Sequence, residues 1–210
     1  MISTIYFDIG GVVFDDFYSR SGSDFTQALK LPKKAIYKVW VETDHTDYAK
    51  NRMSDKKRWR IFTDELGLSK DKVQVCIYAL YKQYKPITKT VDFIKRIRKT
   101  KKNIKLGILA DQPMGVVKLL RKKYQDIIKL FDKSLVLFSA EVELSKRDKD
   151  LKIFKEAIKR AKTSANNILF VDNSLTNIRS AQTVGIQGFY FDIENKPISI
   201  LLDKLEKAIE

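Results

Sequence analysis

Residues 5–17 read IYFDIGGVVFDDF. An aromatic and β-branched run, Ile5-Tyr6-Phe7, leads straight into an aspartate, Asp8, and a diglycine, Gly10-Gly11, follows. Residues of the first kind fit a pleated, buried surface, and glycine lets the backbone turn sharply. The stretch predicts a strand that delivers one carboxylate into a glycine turn, a common way to build a phosphate or metal site. The pattern recurs downstream. Residues 105–111, KLGILAD, end on Asp111, and residues 167–173, NILFVDN, carry Asp172. Three acidic strand ends predict a parallel sheet with its chemistry at the carboxyl edge.

Working outward, strands are predicted at 2–8, 104–109, 134–138, 167–171 and 186–190, with helical patterns between the later ones. In 151–161, Leu151, Phe154, Ala157, Ile158 and Ala161 fall on one helical stripe. A second helix is expected over 174–184. Pro113 and Pro197 sit where first helical turns belong, and Asn195 reads as an N-cap. Strand and helix in alternation predict an α/β fold with a doubly wound parallel sheet. Residues 16–86 break the alternation. Three apolar faces fit helices: Ile36, Tyr37, Trp40 and Val41; Trp59, Phe62 and Leu66 after Ser54 or Asp55; and Val73, Cys76, Ile77, Leu80 and Tyr84 after Ser69. The expected organisation is an α/β core of residues 1–15 and 87–210, with an all-helical cap subdomain, 16–86, over the carboxyl edge.

The chain of 210 residues is 44% hydrophobic, enough for one core-rich domain and a small insert. It has no apolar run of about 18 residues, so no membrane span is expected. The start, MISTIYFD, lacks a basic n-region and reads directly as a strand, so no signal peptide is expected. Cys76 is the only cysteine, which excludes an internal disulfide and a four-cysteine zinc site and fits a reducing cytoplasm. The net charge is +15, but lysines outnumber arginines 31 to 10 and spread over nearly every predicted helix. Base readout favours arginine. The densest cluster, Lys95, Arg96, Arg98, Lys99, Lys101, Lys102 and Lys105, precedes a strand and so falls at the amino edge, away from the acidic strand ends. A solvated basic surface is expected, with no specific nucleic acid as partner.

With these stretches in place, the chain resembles the haloacid dehalogenase (HAD) superfamily, in particular its small capped phosphatases of the glucose-1-phosphatase-like kind. The resemblance runs from about residue 2 to residue 192. It implies a Rossmann-like core and four motifs. Asp8 takes the position of the nucleophile that forms an aspartyl-phosphate. Gly10 stands where many relatives carry a second aspartate, the general acid and base; its carbonyl keeps the position of a magnesium ligand. Gly11 would line the phosphate site. Ala110-Asp111 replaces a Ser-Asn or Thr-Asn pair, so the hydroxyl that donates to a phosphoryl oxygen is lost. Asp111 there adds negative charge close to a phosphoryl group. Lys146, in SAEVELSKRDKDLKIF, takes the position of the lysine that holds nucleophile and phosphate together; Asp148 matches, and Arg147 replaces a proline. Asp172-Asn173, in LFVDNSLTNIRSAQTVGI, matches the metal motif through Asn177, Ala181 and Gly185.

By that register Asn173 would ligate Mg²⁺ directly and Asp172 would hold a metal-bound water. An amide brings no charge to a hard cation, so weak Mg²⁺ binding is expected. The expected function is a weak Mg²⁺-dependent phosphomonoesterase with a degenerate site, acting on a small phosphorylated metabolite. An inactive HAD-like binding or interaction protein is the alternative, and a metal-independent dehalogenase a third. Asp15 and Asp16 stand near the nucleophile in sequence as possible proton donors. His45, the only histidine, reads as a structural residue of the insert, and Cys76 as core.

Overall fold

Ile5 and Phe7 face one apolar layer and Tyr6 the other, the period of two expected of a strand buried on both sides. A computed structural model of the chain describes residues 1–15, 22–42 and 46–209. Its five strands are β1 (Thr4–Phe7), β2 (Lys105–Ala110), β3 (Val136–Phe138), β4 (Ile168–Asp172) and β5 (Gln187–Tyr190). All neighbours run parallel, in the order β3-β2-β1-β4-β5. Each lies within two residues of its predicted position. The order reverses at β1, so the central strand ends at the crevice where open α/β sheets bind ligands.

The same alternation sets both layers. Leu106, Ile108 and Ala110 of β2 and Leu169 and Val171 of β4 join Ile5 and Phe7 on one side. Leu109, Ile168 and Phe170 join Tyr6 on the other, where the helix Lys152–Ala161 packs Ile153, Phe154, Ala157 and Ala161 against them. Tyr6 is fully buried, and its hydroxyl donates to the Ala157 carbonyl at 2.9 Å, which keeps that polar atom satisfied. Its ring crosses Gly107, where a Cβ would come within 2.5 Å of ring carbons, so β2 needs a glycine there.

Several capping expectations are corrected. Pro113 and Pro197 precede the helices Met114–Lys123 and Ile198–Ala208 by one residue instead of opening them. Asn195 is no cap; its amide donates to Asp192 Oδ1 at 2.9 Å. Ser54 caps the helix Asp55–Glu65 as expected, accepting from Lys57 N at 3.3 Å. Ser69 instead donates to Asp71, the residue that precedes the helix Lys72–Gln83.

Among the described residues between Asp15 and Lys85 there is no strand. Helices Gly22–Leu29, Lys33–Glu42, Thr46–Ala49, Asp55–Glu65 and Lys72–Gln83 fill that stretch. Trp40 stacks on Trp59 at 5.5 Å, and Phe62 meets Trp59 edge-on at 5.1 Å, so these aromatics form apolar core as read. Tyr37 is the exception. It is 45% exposed, because one residue turns the helix about 100° away from buried Ile36. The chain leaves and re-enters the sheet side by side: Asp15 N donates to Lys85 O at 2.8 Å and Ile87 N to Val13 O at 2.9 Å. No helix among the described residues is long and apolar enough to cross a membrane.

Candidate active site

Asp8 leaves β1 with its N–H still bonded to Val171 O of β4 at 2.9 Å, so its carboxylate starts beside the end of β4. The chain then turns. Gly11 has φ +73°, a conformation that costs a side-chain-bearing residue about 1 kcal/mol or more, and its N–H donates to Phe14 O at 2.7 Å. Gly10 bridges to Phe14 in the same turn. Asp172 closes β4. Lys146 reaches both carboxylates from the turn that precedes the helix Lys152–Ala161. Its Nζ lies 2.8 Å from Asp8 Oδ1 and 2.8 Å from Asp172 Oδ2. All three side chains are buried, at 9% exposure or less.

One ammonium thus serves two carboxylates in a buried site. Burial raises the Asp8 carboxyl above its ordinary value; Lys146 pulls it down and Asp172 pushes it up, and burial wins. Burial alone would lower the Lys146 ammonium, but Asp172, Asp8 and Asp111 together outweigh it and hold the lysine charged. Asp172 is further fixed from its own loop. Ser174 N donates to its Oδ1 at 2.7 Å, and Asn177 Nδ2 spans Oδ1 and Oδ2 at 3.2 and 3.0 Å. Ser174 caps the helix Leu175–Thr183, which places Asn177 one turn in, facing back to the carboxylate. Asn173 stands next to it, half-buried.

Asp111 directly follows β2. Its carboxylate is directed to the lysine turn: Lys146 N donates to Oδ1 at 3.0 Å and to Oδ2 at 3.2 Å, and Ser145 Oγ donates to Oδ2 at 2.8 Å. Burial raises its carboxyl above the usual range, while Lys146 and these donors lower it. Ala110 is fully buried, and its methyl belongs to the apolar layer of Phe7 and Ile108. Asp148 accepts from Ser145 N at 2.9 Å and pairs with Lys50 Nζ at 2.7 Å. Next to Asp111, Gln112 N donates to Ser139 Oγ at 2.9 Å, and Ser139 Oγ donates to Ala49 O at 2.8 Å.

Asp8, Asp111, Lys146 and Asp172 therefore come together, with Ala110 and Asn173 adjacent to them in the chain. Asp16 and His45 lie outside the described residues. Cys76 is buried, and burial pushes its thiol up to about 12, so it holds no thiolate at neutral pH. Sequence reasoning missed Ser145, Gln112 and Lys50. Ser145 had a signal, its place directly before Lys146. Lys50 had none, being one lysine among 31.

The surface charge is largely conventional where it is densest. Arg96 pairs with Glu206 at 2.7 Å and Arg98 with Asp132 at 2.8 Å, both exposed and at the amino side of β2.

Solved structures with this fold support the reading of the architecture. A HAD family enzyme of Bacteroides thetaiotaomicron, bt-2542, in complex with magnesium and inorganic phosphate, superposes with a TM-score of 0.66 at 17% identity, over 96% of this chain and 99% of that one. A predicted HAD-like family hydrolase of Porphyromonas gingivalis gives 0.69 at 19% identity, over 99% and 98%. A 2-haloacid dehalogenase of Pseudomonas syringae gives 0.58 at 16% identity, over 94% and 89%. No curated protein matches the chain. The family model of the haloacid dehalogenase-like hydrolases matches residues 2–185, from β1 through β4 and its following helix. A match of that extent, taken with the parallel sheet and its acidic strand ends, makes the chain a member of the haloacid dehalogenase-like hydrolase family.

Proposed function

We propose that the chain is a slow phosphomonoesterase for a small phosphorylated metabolite, with Asp8 as nucleophile and Lys146 as the cation that faces the phosphoryl group. The observation that carries this reading is the Lys146 ammonium held at 2.8 Å from Asp8 in a buried site. A carboxylate attacks phosphorus once the phosphoryl charge is neutralised, and a fixed lysine supplies that without reorganisation. Asp8 forms the P–O bond as the ester P–O bond breaks. Water then attacks the aspartyl-phosphate and frees Asp8 and phosphate. Gly10 offers no side-chain acid, so the leaving alkoxide takes its proton from water. That favours leaving groups that depart easily, such as aryl oxides. In the same reading residues 16–86 form a cap over the site, Gly11 lines the phosphate pocket, and the protein works in the cytoplasm.

Magnesium is the cofactor this family implies, and the residues present fit it poorly. The Asp172 oxygens already accept from Ser174 N, Asn177 Nδ2 and Lys146 Nζ. Among the described residues no group of three or more His, Cys, Asp or Glu is arranged to hold a metal ion. Asp8, the Gly10 carbonyl, Asp172 and Asn173 would thus bind Mg²⁺ weakly, and no step above passes through it. A second reading, a binding protein without turnover, draws on Ala110, whose methyl stands where relatives present a hydroxyl.

The test is hydrolysis of an aryl phosphate by wild type and Asp8→Asn, with and without Mg²⁺. Activity in wild type that vanishes in the variant is expected. Equal rates in both would place the activity elsewhere and favour the binding protein.

A further inference from the structure

The turn that carries Lys146 is held from two sides. On the sheet side Asp111 accepts from Lys146 N and Ser145 Oγ. On the other side Asp148 Oδ2 accepts from Ser145 N at 2.9 Å, while its Oδ1 meets Lys50 Nζ at 2.7 Å. Lys50 is 98 residues away in sequence and belongs to the helical insert. It directly follows Ala49, whose carbonyl is bonded to Ser139 beside the end of β3. The Lys50 and Asp148 side chains are only 11% and 18% exposed. A pair so far out of solvent is screened less than a surface pair and depends more on its geometry. The neighbouring Arg52–Glu143 pair, at 3.9 Å and more than half exposed, contributes little by comparison.

We propose that Lys50 is a positioning residue: through Asp148 it orders the Ser145–Asp148 turn, and so sets Lys146 against Asp8 when the insert is seated on the sheet. Asp148 touches both bodies at once, one oxygen on the insert and one on the backbone of the residue before Lys146. Lifting the insert removes the cation from Asp148. The carboxylate then turns to water, and Ser145 N loses its acceptor. Closure and placement of the lysine become one event. The catalytic consequence rests on Lys146 acting as proposed above; the coupling itself does not.

The experiment compares wild type with Lys50→Gln, Asp148→Asn, the double variant and Lys50→Arg. Asp148→Asn keeps an oxygen for Ser145 N and removes only the charge facing Lys50. Amide hydrogen exchange at Ser145 and Lys146, read by NMR, reports the turn without reference to activity. We expect exchange there to quicken by roughly tenfold in each single variant, no further in the double, and to return toward wild type in Lys50→Arg. With an aryl phosphate, kcat should fall by about the same factor at unchanged KM. Exchange that quickens only across residues 46–52, with Ser145 and Lys146 still protected, would overturn the proposal by making Lys50 a simple staple of the insert. Additive effects in the double variant would overturn it as well. Faster exchange at Ser145 in a protein with no turnover would support the coupling and sink the phosphatase reading alone.

Discussion

Lys146→Met tests the centre of the site without assuming any reaction. Methionine keeps most of the side chain's length and removes the cation. Asp8 and Asp172, each now 2.8 Å from the ammonium and nearly or wholly buried, would face each other uncompensated. Removing one partner of a buried ion pair costs about 3–5 kcal/mol, because the other charge stays behind. Two like charges so close do not both persist, so one carboxyl takes up a proton. Its native pKa then lies above its unfolded value of about 3.9. Between those two values the native state binds more protons than the unfolded state, so stability falls as pH rises. Each unit of elevation removes about 1.4 kcal/mol once the pH exceeds the native value.

The assay is urea unfolding of wild type and Lys146→Met at pH 8 and pH 5, with m-values compared to check that both unfold in two states. The variant should lose about 3–5 kcal/mol at pH 8 and recover roughly 2–4 kcal/mol of it at pH 5. In wild type burial also raises Asp8, so the slope has the same sign, but the lysine keeps it smaller. A loss under about 1 kcal/mol at pH 8, or a larger loss at pH 5 than at pH 8, would refute the bridge as a stabilising element.

Three further outcomes are expected. Asn173→Asp returns an anionic oxygen to the fourth motif and should tighten Mg²⁺ binding in a calorimetric titration; a wild type already in the micromolar range, unimproved by the change, would contradict the register. Ala110→Ser places a hydroxyl in the buried apolar layer of Phe7 and Ile108 and should lower stability by about 1–3 kcal/mol in urea unfolding, an unchanged midpoint contradicting that placement; Asp111→Asn should change turnover only fewfold, and a large change in steady-state kinetics would mean that Asp111 faces the substrate. Since burial raises Asp8, the acidic limb of kcat/KM should sit above the ordinary aspartate range, with activity growing as pH rises and Asp8 ionises; a limb at about 4 or below would remove Asp8 as the titrating nucleophile.

How far these features could be read in the sequence depends on range. β1, β2 and β4 were legible because burial on both faces leaves near-continuous apolar runs, and each run stops at an aspartate. The Asp8, Lys146 and Asp172 positions were legible because short motifs fix them relative to a strand end or a helix start. Helix starts at Pro113 and Pro197 were read one residue early, since proline suits both the first helical position and the residue before it. Tyr37 departs from the apolar face its spacing predicts because a helical stripe and its border differ by one residue. Lys50 was not legible at all. Its role comes from a contact across 98 residues, and local pattern carries no information about such pairings.

Asp111 shows why composition at a motif does not settle its electrostatics. By type, an aspartate in place of an amide adds a charge that repels both Asp8 and a phosphoryl group. By geometry, its oxygens face two donors of the lysine turn, the Ser145 hydroxyl and the Lys146 N–H. An amide oxygen could accept the same N–H, so the substitution preserves the hold on Lys146 while changing the charge of the site. Two carboxylates, Asp8 and Asp172, contact the Lys146 ammonium, and a third, Asp111, sits on the backbone of the turn that carries it. With all three ionised the cluster carries −2, and a phosphoryl dianion would deepen that to −4 in a low-dielectric pocket. Burial opposes this by raising Asp8 and Asp111 toward their neutral forms. A phosphoryl dianion bound here would be expected to bring in a proton or a cation with it. That requirement separates the phosphatase reading from a dehalogenase, whose substrate carries a single charge, and it makes proton uptake on binding the property that most directly reports which ligand the site was built to take.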